Sequence, residues 1–216
     1  MKYFTFILFI LLLSVGQGVN AMRNSSGEPI VGLNKEEKAY LLKLVRQTIL
    51  TYLEKQEYPA TEPISDKLKD EFGVFVTLHK HGQLRGCIGY VEGIKPLYQA
   101  VMDMARSAAF SDPRFPPVKL EEMKDLEIEI SVLSPLKKIK DVNEIQVGKH
   151  GIIIQKGFQR GLLLPQVATE WHWNREEFLR QTCFKAGLPA EAWKDPGTEI
   201  MIFSAEIFNE KEILGH

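Results

Sequence analysis

Leu84-Arg85-Gly86-Cys87-Ile88-Gly89-Tyr90 sets a cysteine between two glycines, with an arginine just ahead of them, inside a strand-like pattern. Glycine weakens a strand interior unless another backbone or a ligand must come close. Just upstream, residues 72–80 are rich in Val, Phe and Thr, and His81-Gly82 supplies a turn, so the two stretches read together as a β-hairpin. With that two-residue loop the simplest register sets Cys87 opposite Val76, on the sheet face of Arg85, and turns His79 to the other face. A one-residue slip or a bulge reverses this and opens a Cys87/His79 pairing.

Outward from the hairpin the chain mixes helices and strands without regular alternation. Asn34 followed by Glu37 is a capping-box pattern, and Leu42, Val45, Ile49 and Leu53 share one face of a helix running to about Lys55. A second helix starts near Pro96, with Leu97, Val101, Met104, Ala105 and Ala108 inward, and the proline-rich stretch from Ser111 to Pro117 cannot continue it. Between Leu126 and Val132 apolar residues alternate with Glu127, Glu129 and Ser131, the pattern of a half-buried strand with solubilising outer carboxylates. A second hairpin is predicted from Ile152–Gln155 and Gly161–Leu164. Asn174 with Glu177, Trp173 with Phe178, and Gly187-Leu188-Pro189 mark the start, the staple and the stop of another helix. The last strand runs from about Glu199 to Phe208, with Met201, Phe203, Ala205 and Ile207 on one face. Hairpins imply antiparallel pairing, so the fold class is α+β, a mostly antiparallel sheet with packed helices.

Several ordered motifs identify a resemblance. Leu84 to Gly89 (LRGCIG), Ala109-Phe110-Ser111-Asp112-Pro113-Arg114-Phe115-Pro116-Pro117, the Leu126–Pro135 strand, Gly161-Leu162-Leu163-Leu164-Pro165-Gln166-Val167-Ala168 and Lys185–Pro189 follow one another as in the AMMECR-type domain family. The chain is similar to that family from Leu33 to Phe208, and prokaryotic members are often named AmmeMemoRadiSam system protein A. The resemblance implies a larger α+β part joined to a smaller subdomain with a cleft between them. It also implies Memo-type and radical SAM proteins as partners. It implies no settled activity.

The first residues carry a further signal. Lys2, an apolar run from Tyr3 to Leu13, and the small-residue end Val19-Asn20-Ala21 describe a secretory signal peptide over residues 1–21, cut after Ala21. Residues 22–32 then read as a polar linker, and residues 33–210 as the AMMECR-type domain. Cleavage makes the protein exported or periplasmic, with no membrane attachment afterwards. An uncleaved leader makes it membrane-anchored, and a misread one cytoplasmic. Export would separate it from a radical SAM partner, whose cluster needs reduction.

Composition narrows the function classes. The 216 residues carry 27 Lys plus Arg against 28 Asp plus Glu. No charge excess draws the chain to nucleic acid. Phosphate loops, dinucleotide fingerprints and Gly-x-Ser-x-Gly elbows are missing from the sequence, and its five histidines have no zinc-ligand spacing, so neither a cofactor nor a metal is expected. Trp171-His172-Trp173 reads as packing around a helix start or as a stacking surface. Cys183, in line with Leu179 and Ala186, reads as a small core residue, and pairing with Cys87 is the less favoured alternative.

Cys87 remains as the candidate nucleophile. Arg85 is its thiolate or anion stabiliser and Asp112 its orienter. Gly86, Gly89, Arg114 and His79 complete a constellation suited to a polar or anionic small molecule. The bland alternative makes Cys87 a packing residue in a tight strand and Asp112 a turn former. Two functions therefore stand side by side: a small-molecule-binding domain, with or without thiol chemistry, and a non-catalytic protein-interaction component.

Overall fold

The structure is a computed structural model and describes residues 22–23 and 29–215. The expected signal peptide, residues 1–21, lies outside the described residues. The described chain divides into two compact units, residues 32–132 with 207–215 and residues 22–23 and 29–31 with 133–206, the first being the larger. Within the stretch expected as a linker, β1 (Met22–Arg23) pairs antiparallel with β2 (Pro29–Ile30).

The first unit opens with α1 (Lys35–Lys55). Its capping box closes in both directions: Asn34 Oδ1 accepts from the Glu37 N–H at 2.9 Å and Glu37 Oε2 from the Asn34 N–H at 2.8 Å. Leu41, Leu42, Leu44, Val45 and Ile49 are buried along its inner face. The hairpin follows as β3 (Gly73–Lys80) and β4 (Gln83–Tyr90), then α2 (Leu97–Phe110) and β5 (Leu126–Leu133), with strand order β4-β3-β5. α2 packs on α1 and across β3 and β4. All five α2 residues predicted to face inward are buried. Ser131, expected on the outer face of β5, is buried too. The short helix α5 (Glu210–Leu214) is tied back to α1. Arg46 donates to Glu210 from Nε at 2.8 Å and Nη2 at 2.7 Å, and to the Met123 and Leu126 carbonyls, while Glu210 accepts the Ile128 N–H. A planar guanidinium thus fastens three chain segments.

The second unit holds β6 (Lys137–Ile139), β7 (His150–Lys156), β8 (Gln159–Leu163), α3 (Pro165–Glu170), α4 (Arg175–Lys185) and most of β9 (Glu199–Asn209). β9 pairs antiparallel with β6 and β7, and β7 pairs with β8. Asn174 caps α4 by accepting the Glu177 N–H at 2.9 Å, but Glu177 accepts from Gln181 Nε2 rather than completing a box. Gly187, at φ 72°, ends the helix, and the Leu188 N–H reaches back to the Cys183 carbonyl at 2.9 Å. The predicted β9 face holds only in part: Phe203 is buried and Ile207 exposed, while Ile200 and Ile202 on the opposite face join the core around Phe178, Leu179 and Cys183. Both faces of β9 bury apolar side chains, so alternation alone does not say which one the helices cover.

The architecture is α+β with antiparallel pairing, as the sequence predicts. Cys87 and Cys183 are both free and buried. Among the described residues no helix is long and apolar enough to cross a membrane.

Candidate functional site

The hairpin register places the candidate residues. His81 and Gly82 take φ 51° and 72°, the left-handed pair that a two-residue turn requires. The ladder then shifts between Leu78 and His79, so that Leu78 pairs with Gly86 while His79 pairs with Leu84. Arg85 is the extra residue of a β-bulge. The simple register is therefore corrected: Cys87 faces Thr77 rather than Val76, and alternation along β3 turns His79 to the Thr77 and Cys87 face. No hydrogen bond joins His79 to Cys87 among the described residues.

The two glycines are crowded by the protein itself. A Cβ on Gly86 would lie 2.2 Å from the Ala108 carbonyl oxygen of α2, and one on Gly89 would lie 2.2 Å from the ring of its cross-strand partner Phe75. Glycine is needed here because a helix and an aromatic ring close onto the strand.

β4 lies at the edge of its sheet, and the turn after α2 covers that edge at Cys87. Asp112 Oδ2 accepts the Cys87 N–H at 2.9 Å, and Arg114 Nη2 donates to the Cys87 carbonyl at 3.2 Å. The two covering residues are themselves paired. Asp112 Oδ1 accepts the Arg114 N–H at 3.1 Å and its Nε at 2.9 Å, and Oδ2 accepts from Nη2 at 2.6 Å. Burial pushes the Asp112 carboxyl up, but the guanidinium and the two N–H donors outweigh it and hold it below the usual carboxylate range.

The Cys87 thiol is 9% exposed, with the Thr77 hydroxyl donating to Sγ at 3.3 Å. Burial dominates and pushes its pKa up. The Thr77 hydroxyl and Arg114 pull down and the carboxylates of Asp112 and Glu129 push up further. That direction is opposite to the activation a thiolate nucleophile requires.

Arg85 is held elsewhere. Its Nε and Nη2 donate to Glu122 Oε1 and Oε2 at 3.1 and 3.0 Å, and Lys80 Nζ joins Oε1 at 2.9 Å. This fork, with the help of Lys80 and the Lys119 N–H, holds the Glu122 carboxyl down to about 2 against its own burial. The cation that acts on the Cys87 thiol is Arg114. Glu122, Thr77 and Lys80 are site residues that sequence reasoning missed. Glu122 follows a proline-rich stretch that no strand or helix period crosses, so only the fold relates it to Arg85.

The structure thus brings Cys87, Asp112 and Arg114 together through the strand's backbone and ties Arg85 to Glu122 and Lys80. One feature is left over on each arginine. Nη1 of Arg85 and Nη1 of Arg114 are buried with no hydrogen-bond partner among the described residues. A guanidinium N–H withdrawn from water and unpaired costs free energy that an oxyanion or carbonyl acceptor would recover. Among the described residues no group of three or more His, Cys, Asp or Glu could hold a metal ion.

Comparison with known proteins adds a consistent frame. The family model described as AMMECR1 matches residues 42–208. A protein of Methanothermobacter thermautotrophicus is 46% identical over 185 residues, covering 82% of this chain and 96% of its own. Protein PF1979 of Pyrococcus furiosus is 47% identical over 183 residues, covering 80% of this chain and 87% of its own. Among solved structures, uncharacterized protein PH0010 of Pyrococcus horikoshii superposes with a TM-score of 0.78 at 42% identity, over 85% of this chain and 96% of that one.

Proposed function

This chain belongs to the AMMECR1 family, and from that premise we propose that it is a binding domain whose site is the guanidinium-bearing edge of β4, with Cys87 as its packed centre. The ligand is a small polar or anionic molecule. The single observation that supports this reading is the pair of buried, unpartnered Nη1 atoms of Arg85 and Arg114, one on each side of Cys87 in sequence. The raised thiol pKa speaks against thiolate catalysis, and the Cys87 N–H held by the Asp112 carboxylate and the Cys87 carbonyl held by Arg114 give those two residues architectural work.

The competing component-type reading, a non-catalytic partner of Memo-type and radical SAM proteins, is favoured by a different feature. Phe158 at the tip of the β7–β8 hairpin is 107% exposed, and Trp171 and Phe184 are also open in the same unit. Aromatic side chains left in water are what a partner surface covers.

One experiment separates these readings. Full-length protein is labelled with iodoacetamide across pH and read at Cys87 by peptide mass spectrometry, with and without inorganic phosphate or citrate. Labelling is expected to follow unfolding. It should be slowed by the anion in proportion to 1 + [L]/Kd, and the slowing should be lost in Arg85→Lys. Rapid labelling with an apparent pKa below the roughly 8.5 of a free thiol returns Cys87 to catalysis. Opening-limited labelling that neither anion changes favours the partner reading.

A further inference from the structure

A further guanidinium in the first unit is built differently from those at the β4 edge. Arg106, on α2, has its Cζ 5.5 Å from the Tyr52 ring centroid and 5.4 Å from that of Tyr58. Its guanidinium makes no hydrogen bond or ion pair among the described residues. Its neighbours are fixed independently of it. The Tyr52 ring rests against Phe110, with centroids 4.9 Å apart, and the Tyr58 hydroxyl donates to Asp103 Oδ1 at 2.9 Å. Lys95 takes the other Asp103 oxygen. Both aromatic walls are therefore in place before anything binds, and the Asp103 carboxylate beside them is already committed to Tyr58 and Lys95.

We infer that Arg106, flanked by Tyr52 and Tyr58, is a receptor for a carboxylate group. Aromatic neighbours desolvate a guanidinium and limit its rotamers, while its in-plane N–H groups still present a fork that matches two carboxylate oxygens. Placing it beforehand removes much of the ordering cost that weakens binding at a free surface arginine. Tyr and Arg are also the residue types that dominate recognition hot spots. The neighbouring Asp103 charge selects among oxyanions, because a singly charged carboxylate meets less repulsion there than a phosphate dianion. Tyr58 stays neutral at any working pH, its pKa pushed up to about 12 by burial and by Asp103. The site shares no residue with the β4 edge and stands or falls separately from the function proposed there.

The carboxylate belongs either to a small acid or to a chain end, and the test separates the two. Arginine Nε–Hε NMR signals of the full chain are followed during titration with acetate, with N-acetyl-dialanine and with the C-terminal amide of that dipeptide. The Arg106 signal is expected to shift saturably with the two acids and not with the amide. A response to both acids assigns a small-acid receptor, and a response to the dipeptide acid alone assigns a chain-end receptor. Phosphate should act at least about threefold more weakly. In Arg106→Lys, followed through the backbone amide signals of residue 106 and Tyr58, the apparent affinity for the acids should fall about tenfold, since an ammonium keeps the charge and loses the fork. Tyr58→Ala should weaken it about threefold. The Arg46 signal, locked by Glu210, reports that each variant is folded. An Arg106 signal that follows ionic strength alone, responds equally to the amide or shows no saturation overturns the assignment. Shifts at Arg85 or Arg114 instead report on the β4 edge.

Discussion

The two hairpins β3–β4 and β7–β8 are built on one backbone plan and differ in what covers their outer strand. Each turns through two residues, and each carries a glycine pressed against a helix backbone. A Cβ on Gly86 would meet the Ala108 carbonyl at 2.2 Å, and one on Gly161 would meet the Ala186 nitrogen at 2.3 Å. Each unit also sets a glycine under a cross-strand phenylalanine, Gly89 under Phe75 and Gly151 under Phe203. The edges are finished differently. At β4 a buried Asp112–Arg114 pair covers Cys87, whereas at β8 neutral Gln159 donates to the Gly187 carbonyl at 2.7 Å. Glycine spacing is thus a packing device common to both units. What sets the β4 hairpin apart is the Asp112–Arg114 ion pair hydrogen-bonded to its strand backbone, since β8 also carries an arginine, Arg160, whose Nε is withdrawn from water.

The comparison breaks first at the glycines. Gly86→Ala and Gly161→Ala are each expected to cost about 3 kcal/mol or more, because the contacted atoms are helix backbone and cannot swing aside. Urea denaturation of both variants measures this, and a neutral Gly86→Ala would mean that the β4 glycine leaves room for something other than α2. The edges come next. Asp112→Ala should cost about 3 kcal/mol, since it strands a buried guanidinium, against about 1 kcal/mol for Gln159→Ala. Equal losses would erase the distinction between a charged and a neutral edge.

A smaller effect sharpens the contrast through pH. Glu122 titrates at about 2 in the folded chain against an ordinary 4.5, so its contribution is complete above 4.5 and is lost as pH falls towards 2. Glu122→Gln should remove about 2 kcal/mol at neutral pH. It should also flatten the stability curve between those two values, measured by denaturation at stepped pH. An acid limb unchanged in the variant would detach Glu122 from the stability of the hairpin.

Much of the fold was legible because its signals are local. Asn34 with Glu37 and Gly187-Leu188-Pro189 mark helix ends through bonds spanning only a few residues. The inward face of α2 follows from a 3.6-residue period. The register of β3–β4 was not legible, because a bulge inserts Arg85 without any turn residue to announce it. Nor was the inner face of β9, where Ile200 and Ile202 on one side and Phe203 on the other are all buried. For the candidate site, the grouping of Cys87, Asp112 and Arg114 came from the order of motifs in a resembled family. The role of Glu122 had no such signal.

By itself, the sequence determined the α+β class, the helix ends, both hairpins and the chemistry available around Cys87. These depend on residue type and short-range period. Only the tertiary structure decided that the thiol is buried and pushed up, that Arg114 and not Arg85 is the cation acting on it, and that Arg106 stands between two tyrosines. Each of those outcomes depends on which distant segment displaces water from a side chain, and no local pattern specifies that.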